Sequence, residues 1–192
     1  MNIRKFRPGF DGFFAAALTL VVLCLAPYAV AHDRTKPDVM KSQDRLVEKI
    51  RHELAMLPWY GVFDNLSFEV ENGDTVVLKG QVWRPVLRSD AEGAVCRVEG
   101  VQKVVNQIEI LPLSRFDDQL RFSTYRAIYS RPGLDHYALR AIPTIHIIVK
   151  NGNITLEGVV ANEGDKFLAG MIARSVPLSF SVANDLTVQK GV

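Results

Sequence analysis

Residues 115–130, RFDDQLRFSTYRAIYS, bring three aromatic rings and three guanidinium groups together at helical spacing. Phe122, Tyr125 and Tyr129, at i, i+3 and i+7, share one face; Arg121 borders it on one side, Arg115 and Arg126 on the other. Rings flanked by arginines suit an interface with anionic lipid, where the rings enter the acyl boundary and the guanidinium forks meet phosphates. The same rings also suit burial against a neighbouring part of the chain, because a second apolar face on a helix is ordinarily covered. Both readings stand at this stage. A separate face, formed by Phe116, Leu120, Thr124, Ala127 and Ile128, is the one expected to pack on the helix's own sheet.

Catalytic signals are absent from the sequence. It contains no G-x-S-x-G elbow, no H-E-x-x-H, no phosphate-binding loop and no C-x-x-C. His32, His52, His136 and His146 are scattered without metal-ligand spacing, and His146 sits in a strand pattern, TIHII, that places it at a half-buried or surface position. Asp117 and Asp118 resemble a carboxylate pair, but near the start of a helix they serve more simply to favour its positive end. The expectation is a protein that is not an enzyme, with no catalytic residue, metal or cofactor.

The elements that must hold the aromatic helix are written twice. The stretch VENGDTVVLKGQV (70–82) returns as VKNGNITLEGVV (149–160), and beyond it Leu78 falls on Leu156, Gly80 on Gly158, Val82 on Val160, Ala91 on Ala169, Val98 on Val176, Val104 on Val182 and Asn106 on Asn184, all at one offset. Asp74 is an extra residue at the first hairpin tip, where an insertion is best tolerated. Asn72-Gly73 and Asn151-Gly152 supply the positive φ angles of tight turns. SQDRLVEKIRHELAML (42–57) is helical, with Ser42 at its N-cap and Pro58 ending it. SDAEGAVCRVEG (89–100) is a second helix, and KVVNQIEIL (103–111) a last strand of β-branched residues. The second half repeats the order, with helix EGDKFLAGMIARSV and strand FSVANDLTVQ.

The fold class is therefore α+β: two αββαβ units, each a small three-stranded mixed sheet with two helices on one face. The organisation read from the sequence is a signal peptide over 1–31, a short segment over 32–41, a first domain over 42–112 and a second over 113–192. LPLS (111–114) leaves hardly any linker, so the units should pack closely.

Residues 1–31 read as a secretory leader. MNIRKF is basic, FFAAALTLVVLCLA (13–26) is apolar, and Ala29-Val30-Ala31 is a cleavage site after Ala31. This places the mature chain in the periplasm; the alternative is an inner-membrane anchor over 13–31. The whole chain has 23 Lys plus Arg against 21 Asp plus Glu, and the leader carries Arg4, Lys5, Arg7 and Asp11, so the remainder holds 20 of each. A neutral chain does not suit nucleic acid, whose binding rests on neutralised phosphates. With Cys24 in the leader, Cys96 stands alone and no internal disulfide forms.

Helix, strand, Asn-Gly turn, L-x-G-x-V, a second helix ending in Gly100-Val101-Gln102-Lys103-Val104-Val105-Asn106, then the pattern again: this resembles a tandem BON-domain protein, of the bacterial family named for osmotic-stress and nodulation proteins. The second copy departs from the pattern, with Pro177-Leu178-Ser179-Phe180-Ser181-Val182-Ala183-Asn184 where the Gly-Val pair would stand. The resemblance implies export to the envelope, peripheral binding to anionic phospholipid in support of envelope integrity or stress tolerance, and no catalysis. The rival is an adaptor that docks another envelope protein through the aromatic face or an exposed sheet edge.

Overall fold

The computed structural model of the chain describes residues 36–139 and 144–189. The expected leader and its cleavage site lie outside the described residues. The described residues form one compact unit that contains both repeats.

In the first repeat, helix α1 (Lys36–Ala55) leads into the hairpin β1 (Asn65–Glu71) and β2 (Thr75–Val82), followed by α2 (Pro85–Cys96), β3 (Lys103–Asn106) and β4 (Glu109–Ile110). The second repeat has α3 (Arg115–Tyr129), a single 3₁₀ turn (Asp135–Leu139), β5 (Ile145–Lys150), β6 (Asn153–Val160), α4 (Glu163–Ser175), β7 (Ser181–Asn184) and β8 (Thr187–Val188). In each sheet the second hairpin strand is central. It pairs antiparallel with the strand before it and parallel with the strand that follows the second helix.

Three boundaries differ from the sequence reading. α1 begins at Lys36, so Ser42 lies inside the helix and is not its N-cap; Pro37, in the first turn, needs no amide donor there. α2 starts at Pro85, four residues before the expected Ser89, because a proline at the first helical position is already set to helical φ. Each last strand is split in two. The register with the central strand nonetheless runs on unbroken, from Leu78↔Asn106 to Gln81↔Glu109 and from Leu156↔Asn184 to Val159↔Thr187.

The interruption falls where the central strand passes Gly80 and Gly158, at φ +110° and +114°. A Cβ at either would lie 2.1 Å from a backbone carbonyl oxygen, that of Asn65 or of Thr144. Only glycine permits so close an approach of neighbouring backbone, which is the physical content of the repeated L-x-G-x-V.

Each repeat has its own core. Leu46, Ile50 and Leu54 of α1 and Leu87, Ala91 and Val95 of α2 meet Val76, Leu78 and Val82 of β2. In the second repeat Leu120 and Ile128 of α3 and Ala169, Ile172 and Ala173 of α4 meet Ile145, Ile147, Ile154 and Leu156. Both helices of a repeat thus cover one face of its sheet.

Candidate lipid-facing site and the contact between repeats

α3 is fixed at its start by Ser114, whose Oγ accepts from the Asp117 amide at 3.2 Å, and by Asp117 itself. Asp117 does more than favour the helix end. It is fully buried, and its carboxylate accepts from the amides of Asn151 (3.0 Å) and Gly152 (2.8 Å), tying α3 to the β5–β6 turn. That turn has Asn151 at φ +51° and Gly152 at +77°, matching Asn72 and Gly73 at +53° and +85° in the first hairpin. Two successive positive φ angles are the mark of the type I′ connection.

The expected aromatic face is divided between interior and surface. Tyr129 is buried and its hydroxyl donates to the Ile145 carbonyl at 2.6 Å, while burial pushes the phenol pKa far up. Tyr125 is half-buried. Phe122 is 45% exposed, and Arg115 and Arg126 are exposed. Arg121 departs furthest from expectation. It is 0% exposed, with Nη1 on Asp118 at 2.5 Å, Nη2 donating to the Val149 carbonyl at 2.6 Å, and its guanidinium 5.9 Å from the Trp83 ring centre. Arg121 and Tyr129 are therefore removed from the lipid-facing set, since neither reaches a headgroup without breaking buried hydrogen bonds.

The cause is the first repeat. Between α1 and β1 the chain sends Val62 and Phe63 onto the second repeat: the Val62 carbonyl accepts from the Ile147 amide at 2.7 Å, and the Phe63 ring joins the second core. Phe63 meets Phe122 (5.3 Å between centroids), Trp83 (5.6 Å) and Tyr125 (6.1 Å) in edge-to-face geometry. Asp64, next in sequence, is buried and accepts from the amides of Trp83 (2.7 Å) and Gly61 (3.2 Å), which holds the loop in place; burial raises its carboxyl pKa, opposed by those two amides. On the far side of β5, His146 is buried with its ring stacked on Tyr60 at 5.7 Å. Asn65 donates to Glu157, and Lys150 pairs with Glu109 at 2.5 Å.

What remains at the surface of α3 forms a groove of about 430 Å³ against the loop before β7, lined by Phe116, Phe122, Ser123, Arg126, Pro177 and Leu178. Leu178 is 71% exposed, and Phe180, stacked on Phe116 at 5.8 Å, is 76% exposed. Neither residue stood out in the sequence as a site. The signal that pointed to them was the missing Gly-Val pair: Leu178 occupies the position of Gly100 and adopts the same left-handed backbone, φ +72° against +101°. An apolar side chain therefore stands out from a tight turn where the first repeat has none. Trp59, 68% exposed, is a further apolar group that sequence reasoning missed; Arg84 lies 4.9 Å over its ring and 5.5 Å from that of Trp83, which in turn meets Phe122 at 6.1 Å.

Comparison with known proteins bears on the whole arrangement. The family model of the BON domain matches residues 42–112 and 127–190. The chain belongs to the BON domain family, in two tandem copies. Membership places it among envelope-associated proteins. The match to the second BON domain begins at residue 127, so the candidates from Arg115 to Arg126 lie ahead of it. No curated protein sequence matches the chain. Among solved structures, two of CdsD, a structural protein of the type III secretion system of Chlamydia trachomatis, are similar. One, of its C-terminal domain, has 15% identity and a TM-score of 0.26 over 76% of this chain and 98% of that one. The other has 14% identity and a TM-score of 0.26 over 77% and 93%. Among the described residues, no helix is long and apolar enough to cross a membrane, and no three His, Cys, Asp or Glu side chains are grouped as metal ligands.

Proposed function

We propose that this tandem BON protein is exported to the periplasm and binds anionic phospholipid peripherally, through the surface shared by α3 and the loop before β7, in support of envelope integrity. The observation that carries this reading is the exposure of Phe122 and Leu178 (45 and 71%) on one groove with Arg126 in its wall, beside Phe180 (76%), which stacks on Phe116 of the same groove. Among the described residues, Arg115, at the start of the same helix, and Arg126 have no ion-pair partner, which leaves their guanidinium groups free to meet phosphates. Apolar side chains at the acyl boundary with arginines at headgroup level is the arrangement by which surface-bound proteins grip an anionic bilayer.

Co-sedimentation of residues 32–192 with phosphatidylcholine vesicles, with and without phosphatidylglycerol, tests the proposal. Binding should require the anionic lipid and weaken with added salt, as screened charge pairs do. Arg126→Glu and Arg115→Glu should each weaken it about fivefold or more, from about 1 kcal/mol per basic residue at the surface. Binding that is absent, or indifferent to lipid charge, overturns the reading.

A further inference from the structure

The two repeats treat their outer sheet edges differently. In β5, alternate residues bond to β6, and Ile145, Ile147 and Val149 turn their backbone groups outward. Each of the three is met from within the chain. The Ile145 carbonyl accepts from the Tyr129 hydroxyl, the Ile147 amide donates to Val62, and the Val149 carbonyl accepts from Arg121. One outward group at each of the three positions is thus taken, and the edge is covered from within the chain.

β1 is the counterpart edge of the first repeat, since Phe68 faces Leu78 as Ile147 faces Leu156. The Leu78 carbonyl is taken on its far side by the Gln107 amide at 2.8 Å, so Leu66, Phe68 and Val70 turn their backbone groups away from β2. The Tyr60 phenol meets the Leu66 amide. Among the described residues, the outward amides and carbonyls of Phe68 and Val70 have no partner.

Beside this open edge, α1 and β1 leave a groove of about 670 Å³, walled by Val47, Arg51 and Leu54 on the helix and by Leu66, Phe68 and Val70 on the strand. Val47 and Arg51 each follow a core residue of α1, Leu46 and Ile50, by one place. Tyr125 follows the buried Thr124 of α3 by one place, and it is a ring on which Phe63 packs. In the second repeat the corresponding position, between helix and edge strand, is filled by Val62 and Phe63.

We propose that the β1 edge and its groove receive an extended segment of a partner protein, which adds a strand to the first sheet and lays an aromatic or branched side chain between α1 and β1. The chain's own use of Val62 and Phe63 at β5 is the precedent for both parts of the contact, the backbone hydrogen bond and the inserted ring. The opposite face of β1 sets the other alternate positions. Glu69 and Glu71 are exposed there, with Glu69 on Lys79 at 2.6 Å and, among the described residues, no ion pair at Glu71. A segment alternating valine or phenylalanine with lysine or arginine fits both faces at once. This site is separate from the lipid-facing groove and does not depend on it.

The test uses residues 32–192, which include the whole compact unit, and a labelled synthetic peptide alternating valine and phenylalanine with lysine. Its controls are the same peptide N-methylated at alternate amides in either of the two possible phases, so that each keeps its side chains but loses strand pairing along one edge, and only one phase blocks the edge that would meet β1. The expected result is saturable binding in fluorescence anisotropy, amide shifts concentrated at Leu66, Phe68, Val70 and Val47, and at least about tenfold weaker binding of the methylated form in its disruptive phase. Val70→Pro removes an outward donor without touching a β1–β2 hydrogen bond and should weaken binding about tenfold with the melt preserved; Val47→Lys, in the groove wall, should do likewise. Should Val70→Pro prove unfolded, Val47→Lys decides alone. Binding unaffected by both variants, shifts that map elsewhere, or equal binding of both methylated forms overturns the proposal. So does a concentration-dependent dimer, paired through β1, that the peptide fails to dissociate, since the occupant would then be a second copy of this chain.

Discussion

Replacing Phe63 with alanine removes the one buried side chain, among the described residues, that the first repeat places in the core of the second. The ring is 9% exposed and meets three aromatic rings within 6.1 Å. Burying a phenylalanine and filling its site is worth roughly 3–5 kcal/mol in a closed core. Phe122 on one side of the ring is 45% exposed, so the vacated space opens partly to water and the lower end of that range applies, about 3 kcal/mol. For a unit of this size each kcal/mol moves the melting temperature by about 2–4 °C, which predicts a fall of roughly 6–12 °C. The same change should loosen the Ile147–Val62 hydrogen bond, so hydrogen exchange at the Ile147 amide should speed up more than at Ile154 on the inner strand. Differential scanning calorimetry with amide exchange on residues 32–192 measures both. A melt within about 1 °C of the parent, or uniform acceleration across both repeats, would show that Phe63 does not join them.

Three other outcomes follow from particular geometries. Leu178→Gly should raise stability by about 1 kcal/mol, by relieving a left-handed backbone that a branched side chain adopts at a cost, and should at the same time weaken vesicle binding; a destabilised Leu178→Gly would refute the assignment of strain. Gly158→Ala should cost roughly 3 kcal/mol or more, because its Cβ would lie 2.1 Å from the Thr144 oxygen, and an unchanged melt would refute the close approach. Burial holds the His146 imidazole below its ordinary 6.5, so its neutral form stabilises the fold above that pH and the contribution is lost as pH falls through the depressed value. His146→Phe, which keeps a ring on Tyr60, should therefore flatten the loss of stability on acidification below about pH 6.5; Asp64 and Glu157, which also sit at this contact, are raised by burial and act in the opposite sense at lower pH, so an unflattened curve would refute the assignment to His146.

The repeat was legible because its signals are local. Asn-Gly turns, L-x-G-x-V and β-branched strands each fix a few dihedral angles, and their common offset carried the topology. The break in each last strand was not legible, since it arises where Gly80 and Gly158 bring neighbouring backbone close, and a β-branched run gives no hint of what its partner does. Arg121 shows the limit for the candidate site. A helical wheel places it at the border of an aromatic face, but its burial depends on the Val149 carbonyl and the Trp83 ring, both distant in sequence. Val62, Phe63 and Trp83 lie in connections without periodicity, so nothing in the sequence marked them as the join between repeats. Leu178 was visible only as a lapse in the family pattern, and the turn forms there regardless, with leucine in glycine's conformation.

The closure of the β5 edge by Val62 makes the two repeats unequal as folding units. Among the described residues, the buried core of the first takes no side chain from the second, whereas the second, cut free at residue 113, would lose Phe63 from its interior and present an unpaired Ile147 amide along a strand of isoleucines and valine. Such an edge is prone to pair with other chains. Synthesis runs from the N-terminus, so the covering segment already exists when the second repeat emerges from the ribosome. The same two domains in reversed order would lack that protection, and the order of the copies along the chain is in this sense a safeguard against aggregation.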